Sequence, residues 1–442
     1  MNMIKELLVQ KNFAQIKAEF EDKNIADIAA LFEEFDDKDK VILFKLLNKD
    51  MAAEVFSHLE ADMQETIITA IKDSDIQSIM KDLYLDDATD FIQEMPANVV
   101  KRVLKNCNTT TRNQINQLLS YPDNSAGSIM TTEFIDLKSN LTVSEAFDKI
   151  RKKADDSETV YTIYITDERR KLQGVVSIRE LLIAPADKKL QDIMETNVIS
   201  ANTLTDQEEI GNMFTKYGFY ALPILDNEQR LVGIVTGDDI LEIVKEEATE
   251  DMQKMAAISP TDESYLKTSA FSHSKKRIVW LLFLTISSLI TGAIISHFEA
   301  AFVAIPALVS FIPMLMGTGG NCGSQAATLV IRGLALDEIK LKDYFKVMFK
   351  ESKVALICGV VLSIINFFVT WFRCGNPMLA LVVALTTIIV IFMAKLIGGL
   401  LPILAKKLKL DPAIMASPVI TTLLDCISII SYFLIATALL GI

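Results

Sequence analysis

Apolar residues recur over 24–107 with a period of 12. Counting units from Asp27, the fifth residues are Leu31, Leu43, Val55, Ile67, Ile79, Phe91 and Val103, and the sixth are Phe32, Phe44, Phe56, Ile68, Met80, Ile92 and Leu104. The ninth are Phe35, Leu47, Leu59, Ile71, Leu83, Met95 and Cys107. Three apolar columns over seven units predict short helices, one per unit, stacked on a shared buried stripe. That gives an all-α helical-repeat domain over 1–120.

Residues 125–245 carry a second duplication. Ser128-Ile129-Met130 returns as Asp192-Ile193-Met194, and Leu172-Gln173-Gly174-Val175-Val176-Ser177 returns as Leu231-Val232-Gly233-Ile234-Val235-Thr236. Short β-runs such as Thr159–Ile165 alternate with amphipathic helices such as Ser144–Lys152 and Asp206–Lys216. This predicts a tandem α+β module over 121–242. Leu241–Met252 then reads as a continuous acidic helix within a connecting segment, 243–275.

From 276 onwards the pattern changes again. Ile278–Ser296, Ala300–Met316, Val354–Phe372, Met378–Ala394 (extended past Lys395 to Leu404) and Ala413–Leu440 are apolar runs, the last interrupted by Asp425. Nineteen residues at about 1.5 Å each match the thickness of a bilayer core. The expectation is a five-span α-helical transmembrane domain over 276–442, within a multi-domain membrane protein.

Charge sharpens this division. Of 44 Lys and Arg and 57 Asp and Glu, residues 1–277 hold 33 and 50, and residues 278–442 hold 11 and 7. The first part is acidic, which argues against a nucleic-acid partner. Basic residues sit before the first run (Lys275, Lys276, Arg277), between the second and third (Arg332, Lys340, Lys342, Lys346, Lys350, Lys353) and between the fourth and fifth (Lys406, Lys407, Lys409). With basic loops inside, the N-terminus is cytoplasmic and the C-terminus outside, in a multi-pass protein of the cell membrane among lipid. Met1–Phe20 lacks the apolar run of a signal peptide. Five cysteines without a C-x-x-C pair and three scattered histidines speak against a zinc site or a thiol redox centre. No nucleophile–base arrangement or phosphate loop stands in a credible context, so an enzyme is not expected.

Asp425 carries the sharpest chemistry. It lies 13 residues after Pro412, about 20 Å along a helix, where a lone carboxylate costs about 2.5–3.5 kcal/mol. Ser417, Thr421, Asp425 and Ser428 form one oxygen-bearing stripe at helical spacing, and oxygen is what a hard cation takes. The competing reading is a polar packing seam in which Asp425 pairs with Lys395. Gly317-Thr318-Gly319-Gly320-Asn321-Cys322-Gly323-Ser324-Gln325 disfavours a regular helix. Irregular backbone beside a cavity and close helix packing both account for it. Asp411, before Pro412, reads as a helix cap at the cytoplasmic mouth, placed to meet an arriving cation.

The duplicated module resembles a tandem pair of cystathionine-β-synthase-type (CBS) domains, a family that binds adenosyl ligands or metal ions. The whole chain resembles the MgtE family of magnesium transporters. The motifs are Gly317–Asn321 through Gln325, Glu247-Ala248-Thr249-Glu250-Asp251, and Asp411-Pro412-Ala413 leading to Thr422 and Asp425. The resemblance implies a homodimeric Mg²⁺ channel with Asp425 from each subunit in the pore, beside Asn321 and Ser324; Ser324 and Ser417 stand where some members have Asn. It further implies closure by cytoplasmic Mg²⁺. By position the sensing residues are Asp239, Glu242, Glu247, Glu250 and Asp251, with Asp411 at the mouth and Asp86, Asp87 and Asp90 as weaker candidates. Some members carry an acidic residue where this chain has Gly218. Passage of Co²⁺ or Mn²⁺ and binding of ATP at the CBS pair stay open. So do two rival functions: a proton- or sodium-coupled transporter of another solute, and an adenine-nucleotide-gated cation channel.

Overall fold

A computed structural model describes residues 2–261, 265, 266, 268–415 and 417–441, the side chains of residues 2, 50, 300, 302 and 417 excepted. The chain divides into two compact units, Met1–Val244 and Lys245–Ile442.

The first unit opens with α1 (Asn2–Val9) and a ladder of short helices. These are α2 (Phe13–Glu21), α3 (Ile25–Phe32), α4 (Asp37–Phe44), α5 (Lys49–Ser57), α6 (Ala61–Ala70), α7 (Asp73–Asp82), α8 (Leu85–Glu94), α9 (Ala97–Asn106) and α10 (Thr109–Leu118). From α2 onward every helix starts 12 residues after the last, as the apolar period requires. All the columned residues are buried except Leu31 and Leu104, which are partly buried. Phe32, Phe44, Phe56 and Phe91 form an edge-to-face chain through this stripe. A fourth column runs beside the three apolar ones: Asn12, Asn24, Asp36 and Asn48 each accept a hydrogen bond from a first-turn backbone N–H of the following helix. Such caps contribute about 1 kcal/mol apiece.

Two matching modules follow. The first holds β1 (Asp136–Lys138), α11 (Val143–Lys153), β2 (Thr162–Thr166), β3 (Leu172–Ser177) and α12 (Ile178–Ile183). The second holds β4 (Ala201–Asn202), α13 (Gln207–Tyr217), β5 (Ala221–Leu225), β6 (Leu231–Thr236) and α14 (Gly237–Met255). Each sheet pairs its first strand parallel and its last antiparallel to the middle strand, with a register shift at the same place. The repeated tripeptides bind the modules to each other. A Cβ at Gly233 would meet Met130 Sδ at 2.5 Å, and one at Gly174 would meet Met194 Sδ at 2.9 Å. Each methionine therefore fills the space a glycine leaves in the other repeat's final strand.

The second unit holds α15 (Ala270–His297), α16 (Glu299–Ala304), α17 (Ile312–Ala335), α18 (Tyr344–Cys374), α19 (Pro377–Lys407) and α20 (Ser417–Leu440). Among the described residues four helices are long and apolar enough to cross a membrane: α15, α18, α19 and α20. The apolar stretch of α19 is 56% buried and that of α15 only 6%, so α19 is the hub and α15 the rim. The expected second span, Ala300–Met316, is not one helix. The chain breaks before Pro306, makes a 3₁₀ turn over Pro306–Phe311, and starts α17 at Ile312. Proline lacks the N–H that would continue the helix.

Of the two readings of the glycine cluster, close helix packing is the one seen: 317–325 lies inside regular α17. The reason is packing. Gly319 faces Ser428 and Leu424, Gly320 faces Thr421, and Gly323 faces Leu424 and Ile420, while a side chain at Gly398 of α19 would run into the backbone of Gly323. Three helices approach at distances that side chains would forbid, and that close contact offsets glycine's poor helix propensity.

Candidate functional site

Two acidic groups lie outside the apolar helices. The first gathers at the starts of α8 and α14. Tyr84 gives α8 no side-chain cap; instead Glu133 Oε2, from the first module, accepts the Leu85 N–H at 2.9 Å. Asp86 is buried at 6% exposure. Burial holds its carboxyl well above the usual value, and Asp239, Glu158 and Asp87 push it further. Burial and then Asp239 raise Asp87 to about 6. Burial, then Asp239 and Asp87, raise Glu158 to about 8, and its buried Oε2 has no hydrogen-bond partner. Asp239, which accepts from the Thr236 hydroxyl, is likewise raised, first by burial. Asp238 and Glu242 add to the repulsion. Among the leading influences, His58 beside Asp87 is the opposing side-chain charge. Like charges are crowded here and, among the described residues, no lysine or arginine forms an ion pair with them, so a proton or an added cation relieves them.

The structure brings Asp86 and Asp87 together with Asp239 and Glu242, and adds Glu133 and Glu158. No signal in the sequence marked those two, because their partners come from another domain. Asp90 is exposed on α8. Gly218 ends α13 in the left-handed conformation at φ 67°, a backbone that favours glycine over an acidic residue. Among the described residues no three acidic, cysteine or histidine side chains already converge as a metal shell. The group is a concentration of charge with oxygen donors, a chemistry suited to Mg²⁺.

The second group lies on the later turns of α14. Lys254 Nζ is 2.7 Å from both Glu250 Oε1 and Asp411 Oδ2. Asp251, raised to about 6 by burial and then by Asp411, and Glu247 complete it. Asp411 also accepts the Ala413 N–H at 2.8 Å, capping a 3₁₀ turn, Pro412–Met415. Met255, at the end of α14, packs on a buried cluster that includes Cys322, Ile420 and Leu424.

In the membrane half, Asp425 is partly exposed on α20 and has no hydrogen bond or ion pair among the described residues. Lys395, within the apolar stretch of α19, is 5% exposed and turns to Gln325 Oε1 at 3.4 Å, within electrostatic reach of buried Glu351. Lys395 is not locked to Asp425. Thr421 donates to the Pro418 carbonyl, and Ser428 is buried against Gly319. The side chain of Ser417 is outside the described residues. On α17 the buried face is Gly319, Gly320, Gly323 and their neighbours, while Asn321, Gln325 and Thr328 form an exposed polar stripe, with Ser324 partly buried beside it.

A stacked-helix acidic domain, a CBS-like pair, a connecting helix and an apolar bundle carrying the carboxylate of Asp425 together fit a membrane transporter for cations. Family models agree along the chain: residues 23–124 match the MgtE intracellular N domain, 126–187 and 190–246 the CBS domain, and 312–435 the divalent cation transporter MgtE. The chain belongs to the MgtE family. It is 37% identical over 360 residues to the magnesium transporter MgtE of Thermus thermophilus, covering 80% of each chain. It is 36% identical to that of Bacillus subtilis, covering 80% of this chain and 78% of the other. Among solved structures, it is similar to the cytosolic domain of the Mg²⁺ channel MgtE in complex with ATP. There the TM-score is 0.52 at 34% identity, covering 54% of this chain and 98% of that one.

Proposed function

We propose that the chain carries Mg²⁺ across the cell membrane and that cytoplasmic Mg²⁺ shuts the path. The observation that carries this is Asp425: a carboxylate on an apolar helix, left without a partner although a lysine lies on the neighbouring helix and is spent elsewhere. Intramembrane carboxylates of this kind face an ion or water. Magnesium sheds its water reluctantly, so Asp425 holds a hydrated ion. Asn321 and Ser324 on α17, and Ser417, Thr421 and Ser428 on α20, supply neutral oxygens along the path.

The exposed polar stripe of α17 does not suit lipid. It supports a homodimer in which the stripes and the two Asp425 residues face a shared pore, α17 then serving as a fifth span, with the N-terminus cytoplasmic and the C-terminus outside. Regulation follows from charge. Asp86, Asp87, Asp90, Asp239 and Glu242 repel one another until Mg²⁺ bridges them. Glu247, Glu250, Asp251 and Asp411 link the connecting helix to the mouth of α20. Met255 carries the change to the cluster holding Leu424, beside Asp425. An adenine nucleotide at the CBS pair is a second regulator, supported by the ATP complex of the similar cytosolic domain. Co²⁺ and Mn²⁺ fit the same oxygen chemistry.

The test is Mg²⁺ uptake into proteoliposomes with no proton or sodium gradient. Uptake driven by the Mg²⁺ gradient and membrane potential alone is expected, and Asp425→Ala should abolish it. A requirement for either other gradient would favour a coupled transporter, and equal uptake by the variant would remove Asp425 from the path.

A further inference from the structure

The two acidic groups differ in one respect that bears on regulation: the second contains its own cation. Lys254 Nζ sits between Glu250 Oε1 and Asp411 Oδ2, 2.7 Å from each, with the lysine side chain 21% exposed and its partners 30% and 29%. Glu250 lies one turn back on the same helix. Asp411 belongs to a different segment, the turn that leads into α20. The ammonium therefore joins the connecting helix to the mouth of the last apolar helix. Partial burial works against its charge, yet the bonds to Asp411 and Glu250 outweigh burial and hold its pKa above the usual lysine value. The same helix end is fastened a second time: the Gln253 side chain bonds both the N–H and the carbonyl of Thr261.

We propose that Lys254 is a tethered counter-ion that docks the connecting helix on the pore mouth without any metal, occupying the place among Glu250, Asp251 and Asp411 that a regulatory divalent cation takes when it displaces the ammonium. This rests on the regulatory reading above. Its thermodynamic consequence is specific. Let the docked state bind either the lysine or the metal, and the undocked state bind neither. The lysine then multiplies the metal-free docked population by some factor. It also weakens metal binding to that docked state by the same factor, because it must be displaced. Where the metal-free docked population is small, the two effects cancel in the metal concentration that half-closes the path. Only the metal-free limit moves. Lys254 sets the resting closure, not the threshold.

The experiment uses full-length protein in inside-out patches, with Mg²⁺ as the current carrier from the far side and cytoplasmic Mg²⁺ varied from zero. Lys254→Met removes the charge and keeps the chain length; Lys254→Arg keeps the charge. With an ion pair of this exposure, the closed probability at zero cytoplasmic Mg²⁺ should fall about two- to fivefold in Lys254→Met and recover in Lys254→Arg. The half-closing Mg²⁺ concentration should stay within about twofold of wild type in both. A Lys254→Met protein that closes at zero Mg²⁺ as often as wild type overturns the proposal. So does one whose half-closing concentration moves tenfold while the metal-free limit stays put. Wild type that never closes with cytoplasmic Mg²⁺ would instead remove the regulatory reading beneath it. Elution volume and melting temperature in detergent identify a variant that has merely misfolded, for which Lys254→Gln is the substitute.

Discussion

The two acidic groups of the cytoplasmic half handle the same problem in opposite ways. At the starts of α8 and α14, Asp86, Asp87, Glu158 and Asp239 crowd together with burial and mutual repulsion as their main influences. On the later turns of α14, Glu250 and Asp411 are held by Lys254. The membrane half repeats the contrast: Lys395 accompanies Gln325 and Glu351, and Asp425 stands alone. Places where the chain supplies its own cation are built to stay assembled. Places where it does not are built to answer to what arrives from solution. Neutralising a partnered site should therefore loosen the assembled state, and neutralising an unpartnered one should change its response to ions.

The largest effect expected on the partnered side is at Lys395. Replacing it by Met takes away the positive charge that acts on buried Glu351 without bonding to it, and leaving a buried polar group less well compensated costs about 1–3 kcal/mol. Lys395→Met should melt well below wild type in detergent, and adding Glu351→Gln should recover most of the loss. Unchanged melting of the single variant would show that the lysine does not support Glu351.

A smaller effect is expected from pH on the first acidic group. Its carboxyls bind protons more tightly in the folded protein than in the unfolded chain, so their protonation stabilises the fold. That contribution is complete below about pH 4 and is lost as pH rises through about 6 for Asp87 and about 8 for Glu158. Thermal melting of metal-free full-length protein should fall between pH 6 and 8.5 by more than in Glu158→Gln, and added Mg²⁺ should stabilise wild type most at the alkaline end. Parallel pH slopes for the two proteins would contradict the crowding.

Much of this architecture is legible in the sequence. The 12-residue period located helices α3 to α9 because a stacked repeat ties sequence spacing directly to burial. The duplicated Ser128–Met130 and Leu172–Ser177 segments revealed the paired modules. Their exchange of Met130 for Gly233 and Met194 for Gly174 was not visible, since periodicity does not say which copy a residue packs against. In the membrane half the apolar runs give α15, α18, α19 and α20, but Ala300–Met316 is split at Pro306 and the glycine-rich part of α17 is left open between irregular backbone and close packing. A glycine-rich stretch is a poor helix alone and a good one against close neighbours, and those neighbours lie on α19 and α20. Asp425 stood out because charge in an apolar run is rare. Lys254 did not, because a lysine four residues after Glu250 reads as an ordinary helix pair, and Asp411 lies far away in sequence.

The central claim is that an unpaired charge on α20 serves the passing ion. Asp425→Asn tests it most directly, since it keeps size and oxygen and removes only the charge. Mg²⁺ current through Asp425→Asn should fall by at least about tenfold, the loss of one charge-assisted contact to the ion. A current equal to wild type, carried by a protein of unchanged melting temperature, would contradict the account.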